Sequence, residues 1–218
     1  MDIIPHIAKF FRDGGYFMLP IAVVAALGIG IAIERYLALT WVRARNQSLW
    51  KQIEPLLGAG NFRGAAQAAS QSPSAIGQIL TYGLARIQGA KRRDDVEKAM
   101  EESLMGIVPR LEKRTHYLAT FANLATLLGL LGTVMGLIQA FSAVSTVNPA
   151  EKANLLSASI SEAMNCTAFG LMTAVPFLVI HAVIQTKTTE LVDSLEMASV
   201  KFLNSIVERR PEGGPATA

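Results

Sequence analysis

Thr126 and Thr133 stand seven residues apart inside an uncharged run, so on a helix they share a face, with Gly129 and Gly136 close beside them. Gly132 and Gly136 form a Gly-x-x-x-Gly pair, a spacing that lets a second helix approach closely. A later uncharged run carries Asn165, Thr167, Gly170, Thr173 and Pro176, with Glu162 at its start. A carboxylate at membrane depth is costly and marks function by default, and the threonines and glycines make one small, polar stripe on an otherwise apolar helix. Plainer readings stand beside this one. Threonine can satisfy its hydroxyl on its own helix, so the stripe also reads as helix packing, and Glu162 also reads as a hydrated charge at a helix end. No Asp, Glu, Lys or Arg lies in the middle of these runs, so the chain has no deep ion-carrying acid of its own. His181 reads as an interfacial or packing residue. The single cysteine, Cys166, excludes an internal disulfide and a multi-cysteine zinc site, and its apolar setting suits a small core residue.

The elements that hold these residues are long and apolar. Of 218 residues, 51% are hydrophobic and only 17% are charged, below the quarter usual for soluble domains, and the mean hydropathy is +0.34. The apolar residues are gathered into three uncharged stretches, each long enough, the first with its flanks, to supply the roughly 20 residues a helix needs to cross a bilayer. The expected fold is therefore all-α: an integral membrane protein with three transmembrane helices and long helical extensions in the cytoplasm. Its parts are an interfacial N-terminal segment over 1–15, spans over 16–39, 116–144 and 162–186, a helical domain over 40–115, a short loop over 145–161, a helix over 187–210 and a disordered tail over 211–218. The first span reads as a retained helix and not a cleaved signal, because Asp2 and Asp13 spoil the basic leader and no small-x-small cleavage site follows.

Lys and Arg distribution sets the orientation. Twelve basic residues fall between Arg43 and Arg114 and four follow the third span, whereas the loop between the second and third spans has only Lys152. Lys9 and Arg12 argue weakly the other way. The N-terminus is expected in the periplasm, and the large loop and C-terminus in the cytoplasm. Within the loop, Asn61-Phe62-Arg63 and the alanines 65, 66, 68 and 69 predict a tight hairpin, and Ile76, Ile79, Leu80 and Leu84 a helix face. Val96, Met100, Leu104, Ile107 and Leu111 form a stripe that runs into the second span, predicting one continuous rod kinked at Pro109. Asn148, Pro149 and Glu151 signal a helix start, and Leu191, Leu195, Ala198, Phe202 and Ile206 repeat as an apolar stripe after the third span.

Gly129-Leu-Leu-Gly-Thr-Val-Met-Gly136, followed by Ile138 and Phe141, resembles the second-span signature of the MotA/TolQ/ExbB proton-channel family. Ile160-Ser-Glu-Ala-Met, Thr167-Ala-Phe-Gly-Leu and Ala174-Val-Pro176 are similar to its third-span signature. Glu34-Arg35 and Asn61-Phe-Arg-Gly-Ala-Ala fit the TolQ/ExbB branch. The resemblance implies a homopentamer of this chain around two copies of a single-span partner like ExbD, TolR or MotB, whose membrane-embedded aspartate carries the proton. Thr133 and Thr167 match the family's pore-facing threonines and Glu162 its third-span glutamate; Thr126 lines the same path, and Gly129, Gly132, Gly136, Gly170 and Pro176 pack the helices at the pore. Two positions depart from the pattern: Thr126 stands where many relatives have proline, and His181 where ExbB-like chains often have tyrosine.

The resemblance thus implies an inner-membrane motor subunit that turns proton motive force into mechanical work, for TonB-type import, Tol-type envelope maintenance or gliding. The ion is expected to be H+, with Na+ the alternative, and no cofactor is expected. A small-solute transporter or permease subunit is the alternative from another class, and a scaffold without ion flux is a third reading. An enzyme is not expected: the chain has no phosphate-binding Gly-Lys-Ser/Thr loop, and its three histidines lie far apart in sequence. The formal charge of +3, without any run of five basic residues, gives no reason to expect nucleic acid.

Overall fold

The computed structural model describes residues 10–11, 14–87, 93–145 and 148–207. The tail over 211–218, and most of the segment over 1–15 with its expected interfacial character, lie outside the described residues. Among the described residues the chain is helical and contains no strand. Its helices are α1 (Met18–Gly58), α2 (Phe62–Ser70), α3 (Ala75–Ile87), α4 (Arg93–Glu112), α5 (His116–Val144) and α6 (Pro149–Val207). Three helical stretches, within α1, α4–α5 and α6, are long and apolar enough to cross a membrane. The chain divides into two compact units, Met1–Glu34 with Arg114–Ile184, and Arg35–Lys113 with Gln185–Ala218.

In the first unit the start of α1 follows from its residues. Gly15 and Tyr16 carbonyls accept from the Met18 and Leu19 N–H groups, and Pro20, in the first turn, lacks only a donor that would have no intrahelical partner. The core joins Ile21 and Val24 of α1, Ala122 and Ala125 of α5, and Cys166, Ala174 and Phe177 of α6, with Phe17, Phe121, Leu128, Phe169 and Ile180 against it. The Phe177 ring fills the space above Gly28. The outer faces stay apolar and uncovered: Leu127, Leu130, Val134, Ile138, Phe141, Met172, Val175 and Val179 are exposed. Lipid, or another apolar partner, is the environment that tolerates such a surface.

The second unit is a helical packing with its own interior. Ala65 and Ala69 of α2, Ile76, Ile79, Leu80 and Leu84 of α3, and Val96, Met100, Ile107 and Leu111 of α4 are buried. So are Leu49, Ile53 and Leu57 of α1 and Leu191, Leu195, Ala198 and Phe202 of α6, the stripe the spacing predicts; the side chain of Ile206 lies outside what is described. Burying each large apolar side chain contributes about 1.5–3 kcal/mol relative to exposure. Asn61 caps α2, its Oδ1 accepting from Gly64 N at 2.9 Å. Gly60, with φ +76°, supplies the left-handed residue that closes α1. Asn46, in α1, accepts the Ile76 N–H at 3.2 Å and so ties the first turn of α3 to α1.

One sequence expectation is corrected here. The spacing predicts one continuous helix from the α4 stripe into the second span, and the structure has two. The helix breaks at Lys113–Thr115, where Arg114 has φ +67°, and α5 restarts at His116. Pro109 sits inside α4 without ending it. A left-handed arginine costs roughly 1–2 kcal/mol, and its guanidinium is held by Glu34 at 3.1 Å. α6 begins at Pro149, with the Glu151 N–H on the Asn148 carbonyl, so residues 149–161 between the spans are helical.

Candidate functional site: a small-residue seam between two spans

α5 and α6 meet along their small residues. A Cβ added at Gly136 would lie 2.8 Å from Ala163 Cβ, one at Gly132 would run into the Cys166 thiol, and one at Gly129 would lie 3.3 Å from Thr167 Cα. At Gly170 an added Cβ would be 2.7 Å from the Ala125 carbonyl oxygen and 3.1 Å from Gly129 Cα. The pairs run in opposite directions along the two helices, as antiparallel neighbours must. Gly129, Gly132 and Gly170 are buried and Gly136 is half-buried. Small residues permit this because dispersion and interhelical hydrogen bonds, not the hydrophobic effect, hold helices together in lipid.

The threonines divide in two. Thr167 Oγ1 donates across the seam to the Gly129 carbonyl at 2.8 Å. That carbonyl is also the one that Thr133's backbone N–H faces in an α-helix, so Thr133 and Thr167 meet at one peptide group. Thr133 Oγ1 donates to Leu130 O at 2.6 Å, and Thr126 Oγ1 to Ala122 O at 3.1 Å, both within α5. Each hydroxyl therefore has its proton engaged and its lone pairs open to a further donor. Thr126 is exposed and sits two turns, about 10 Å, from Thr133. Thr173, buried, donates to Phe169 O at 2.9 Å.

Glu162 is exposed and lies five residues from Thr167, about 7.5 Å along α6, level with the Gly136–Ala163 crossing. The structure thus brings Thr133 and Thr167 together and leaves Thr126 and Glu162 towards opposite ends. Pro176 is exposed inside a helix that continues through it. The sequence reading missed Gly15, whose backbone, at φ +70°, lies against the Glu162 carboxylate. The Gly14-Gly15 pair before Tyr16 was its visible signal. Cys166, expected from the sequence as a small core residue, is 2% exposed and fills the notch at Gly132.

The comparisons with known proteins bear on the same stretch. A model of the MotA/TolQ/ExbB proton channel family matches residues 71–197. The chain is 26% identical over 166 residues to the "ExbB-like 3" protein of Synechocystis sp., covering 76% of this chain and 78% of that one. It is 32% identical over 138 residues to the biopolymer transport protein exbB1 of Vibrio cholerae, covering 55% and 58%. A shorter match, 37% over 79 residues, links it to the Tol-Pal system protein TolQ of Haemophilus influenzae, covering 36% and 34%. The solved C. jejuni MotAB structure has a TM-score of 0.59 at 16% identity, over 91% of this chain and 80% of that one, a likeness of fold. With three apolar helices, the two signature runs lying on α5 and α6, and more than half its length matched, the chain belongs to the MotA/TolQ/ExbB proton channel family.

Proposed function

We propose that the chain is the ring-forming subunit of a proton-driven motor in the inner membrane, five copies enclosing two single-span partners of the ExbD, TolR or MotB kind. The observation that carries this is the Thr167 hydroxyl's bond across the seam to the Gly129 carbonyl, one helical turn from Thr133, inside spans that hold no deep acid of their own. A polar seam without a carrier is half of a conduction path. The other half is an aspartate on the partner, which takes up and releases the proton while the threonine hydroxyls accept hydrogen bonds from its protonated form. Release on the opposite side then leaves a charge that must move relative to the ring, and the extended helices of α1, α4 and α6 carry the resulting torque. Glu162 stands at the outer mouth as the first carboxylate an entering proton meets. The N-terminus is placed in the periplasm and the large helical segment over 40–115 in the cytoplasm, from the basic-residue asymmetry. H+ is the proposed ion.

Family membership and the partner system named in the MotAB structure support this reading. The test is native mass spectrometry of the complex released in mild detergent. Five copies, with or without two single-span chains, is the expected result. A monomer or dimer carrying a bound solute overturns it in favour of a permease subunit.

A further inference from the structure

We infer that Gly15 is a positioning residue for Glu162: the turn before the first span fixes where the carboxylate at the outer mouth sits. The inference rests on the ion-pathway role proposed for Glu162.

Three observations carry it. Gly15 has φ +70°, a conformation a glycine adopts without strain. The place a Cβ would take on Gly15 is occupied by Glu162 Oε1, with the carboxyl carbon behind it. Two phenylalanines near Gly15 lie against α5 and α6. The Phe11 ring lies against Phe169 with centroids 4.9 Å apart, and Phe17 Cβ is the third neighbour, at 3.4 Å, of a Cβ placed on Gly132. Having no side chain, Gly15 leaves to the carboxylate the space that any other residue type would fill with its Cβ. The Gly15 carbonyl is already engaged by the Met18 N–H at 3.3 Å, which ties the same turn to the start of α1.

The consequence is local. The crowded atom is the end of a flexible, exposed glutamate side chain, so a substitution at 15 that keeps the backbone moves the carboxylate and leaves the fold intact. Asparagine is the suitable replacement, because it tolerates the left-handed region while adding a Cβ. Shortening the acid by one methylene withdraws it from the turn, so Glu162→Asp should make position 15 indifferent.

The experiment is a double-mutant cycle on the purified full chain. Modification of the carboxylate at position 162 by a water-soluble carbodiimide with an amine trap is followed by peptide mass spectrometry at one pH, with thermal unfolding as the check on folding. Gly15→Asn is expected to change the modification rate of Glu162 at least threefold, and to change that of the shorter carboxylate in the Glu162→Asp chain less than 1.5-fold. The same pattern is expected in ion flux of the assembled complex in vesicles. An unchanged rate in the glutamate chain overturns the inference. So does an equal change in both backgrounds, which would assign Gly15 a backbone role alone. Should Gly15→Asn not fold, Glu162→Asp in the native Gly15 chain is the second variant: it must alter flux at least threefold while assembly is kept, and unaltered flux overturns the inference. Absence of flux in the native complex would instead overturn the motor reading, since the modification cycle is read without flux.

Discussion

The two threonines at the seam differ in what their hydroxyls hold, and that difference makes them separable. Thr167 bonds across to α5, whereas Thr133 bonds within its own helix. Replacing Thr167 by valine keeps shape and removes an interhelical bond worth about 0.6 kcal/mol on average in membranes. The cost stays small because the Gly129 carbonyl keeps its helical donor. Thr133→Val removes no contact between helices and should change stability by less than about 0.5 kcal/mol. If both hydroxyls serve the ion path, both variants lose most of their flux although only Thr167→Val loses measurable thermal stability. Flux measured beside thermal unfolding on the same preparations checks this. Full flux in both would leave the threonines with packing alone.

At the scale of the element, the seam and the break before α5 are decided by backbone contacts. Gly170→Ala places a methyl against the Ala125 carbonyl and Gly129 Cα, neither of which can swing aside. We expect a loss of about 1–3 kcal/mol, the cost of overpacking a close interface, seen as a lower unfolding temperature and a smaller assembled fraction. At Arg114 the strain of φ +67° and the half-exposed ion pair to Glu34 nearly offset each other. A surface pair is worth about 0–1 kcal/mol and a left-handed non-glycine costs roughly 1–2 kcal/mol. Arg114→Gly should therefore unfold within a few degrees of the native chain, while Arg114→Ile, β-branched in the same conformation and without the ion pair, should lose about 1–3 kcal/mol. These elements also mark where the sequence was legible. Three spans, the buried stripes of α3, α4 and α6, and the start of α6 at Pro149 could be read because periodicity and helix-start signals are local. The break at Arg114 could not, since Val96 to Leu111 keep helical spacing up to it and arginine carries no turn signal, while Pro109, which does, is accommodated. The Gly129–Thr167 bond joins residues far apart in the chain, so spacing could name the participants and not their pairing; in the Gly15–Glu162 contact it named only the glutamate.

At the scale of the whole molecule, the apolar faces around α5 and α6 need lipid or neighbouring chains, and which way the chain crosses the bilayer decides what every other residue meets. The basic residues supply the argument: twelve between Arg43 and Arg114, against Lys152 alone between the second and third spans. Moving the Arg43–Arg114 segment across the membrane would oppose the retention of Lys and Arg near span ends on the cytoplasmic side. The chain is well suited to a direct test, because its one cysteine, Cys166, is buried and gives a low labelling background. Ala150 and Gln52 are both exposed, one beside the start of α6 and one in the second unit. Ala150→Cys should react with a membrane-impermeant maleimide added to intact cells with a permeable outer membrane, and Gln52→Cys only after the inner membrane is opened. The reverse pattern would put Glu162 and the Gly15 turn on the cytoplasmic side. The proposed direction of proton entry would then invert with them, while the seam at Gly129 and Thr167 would keep its geometry.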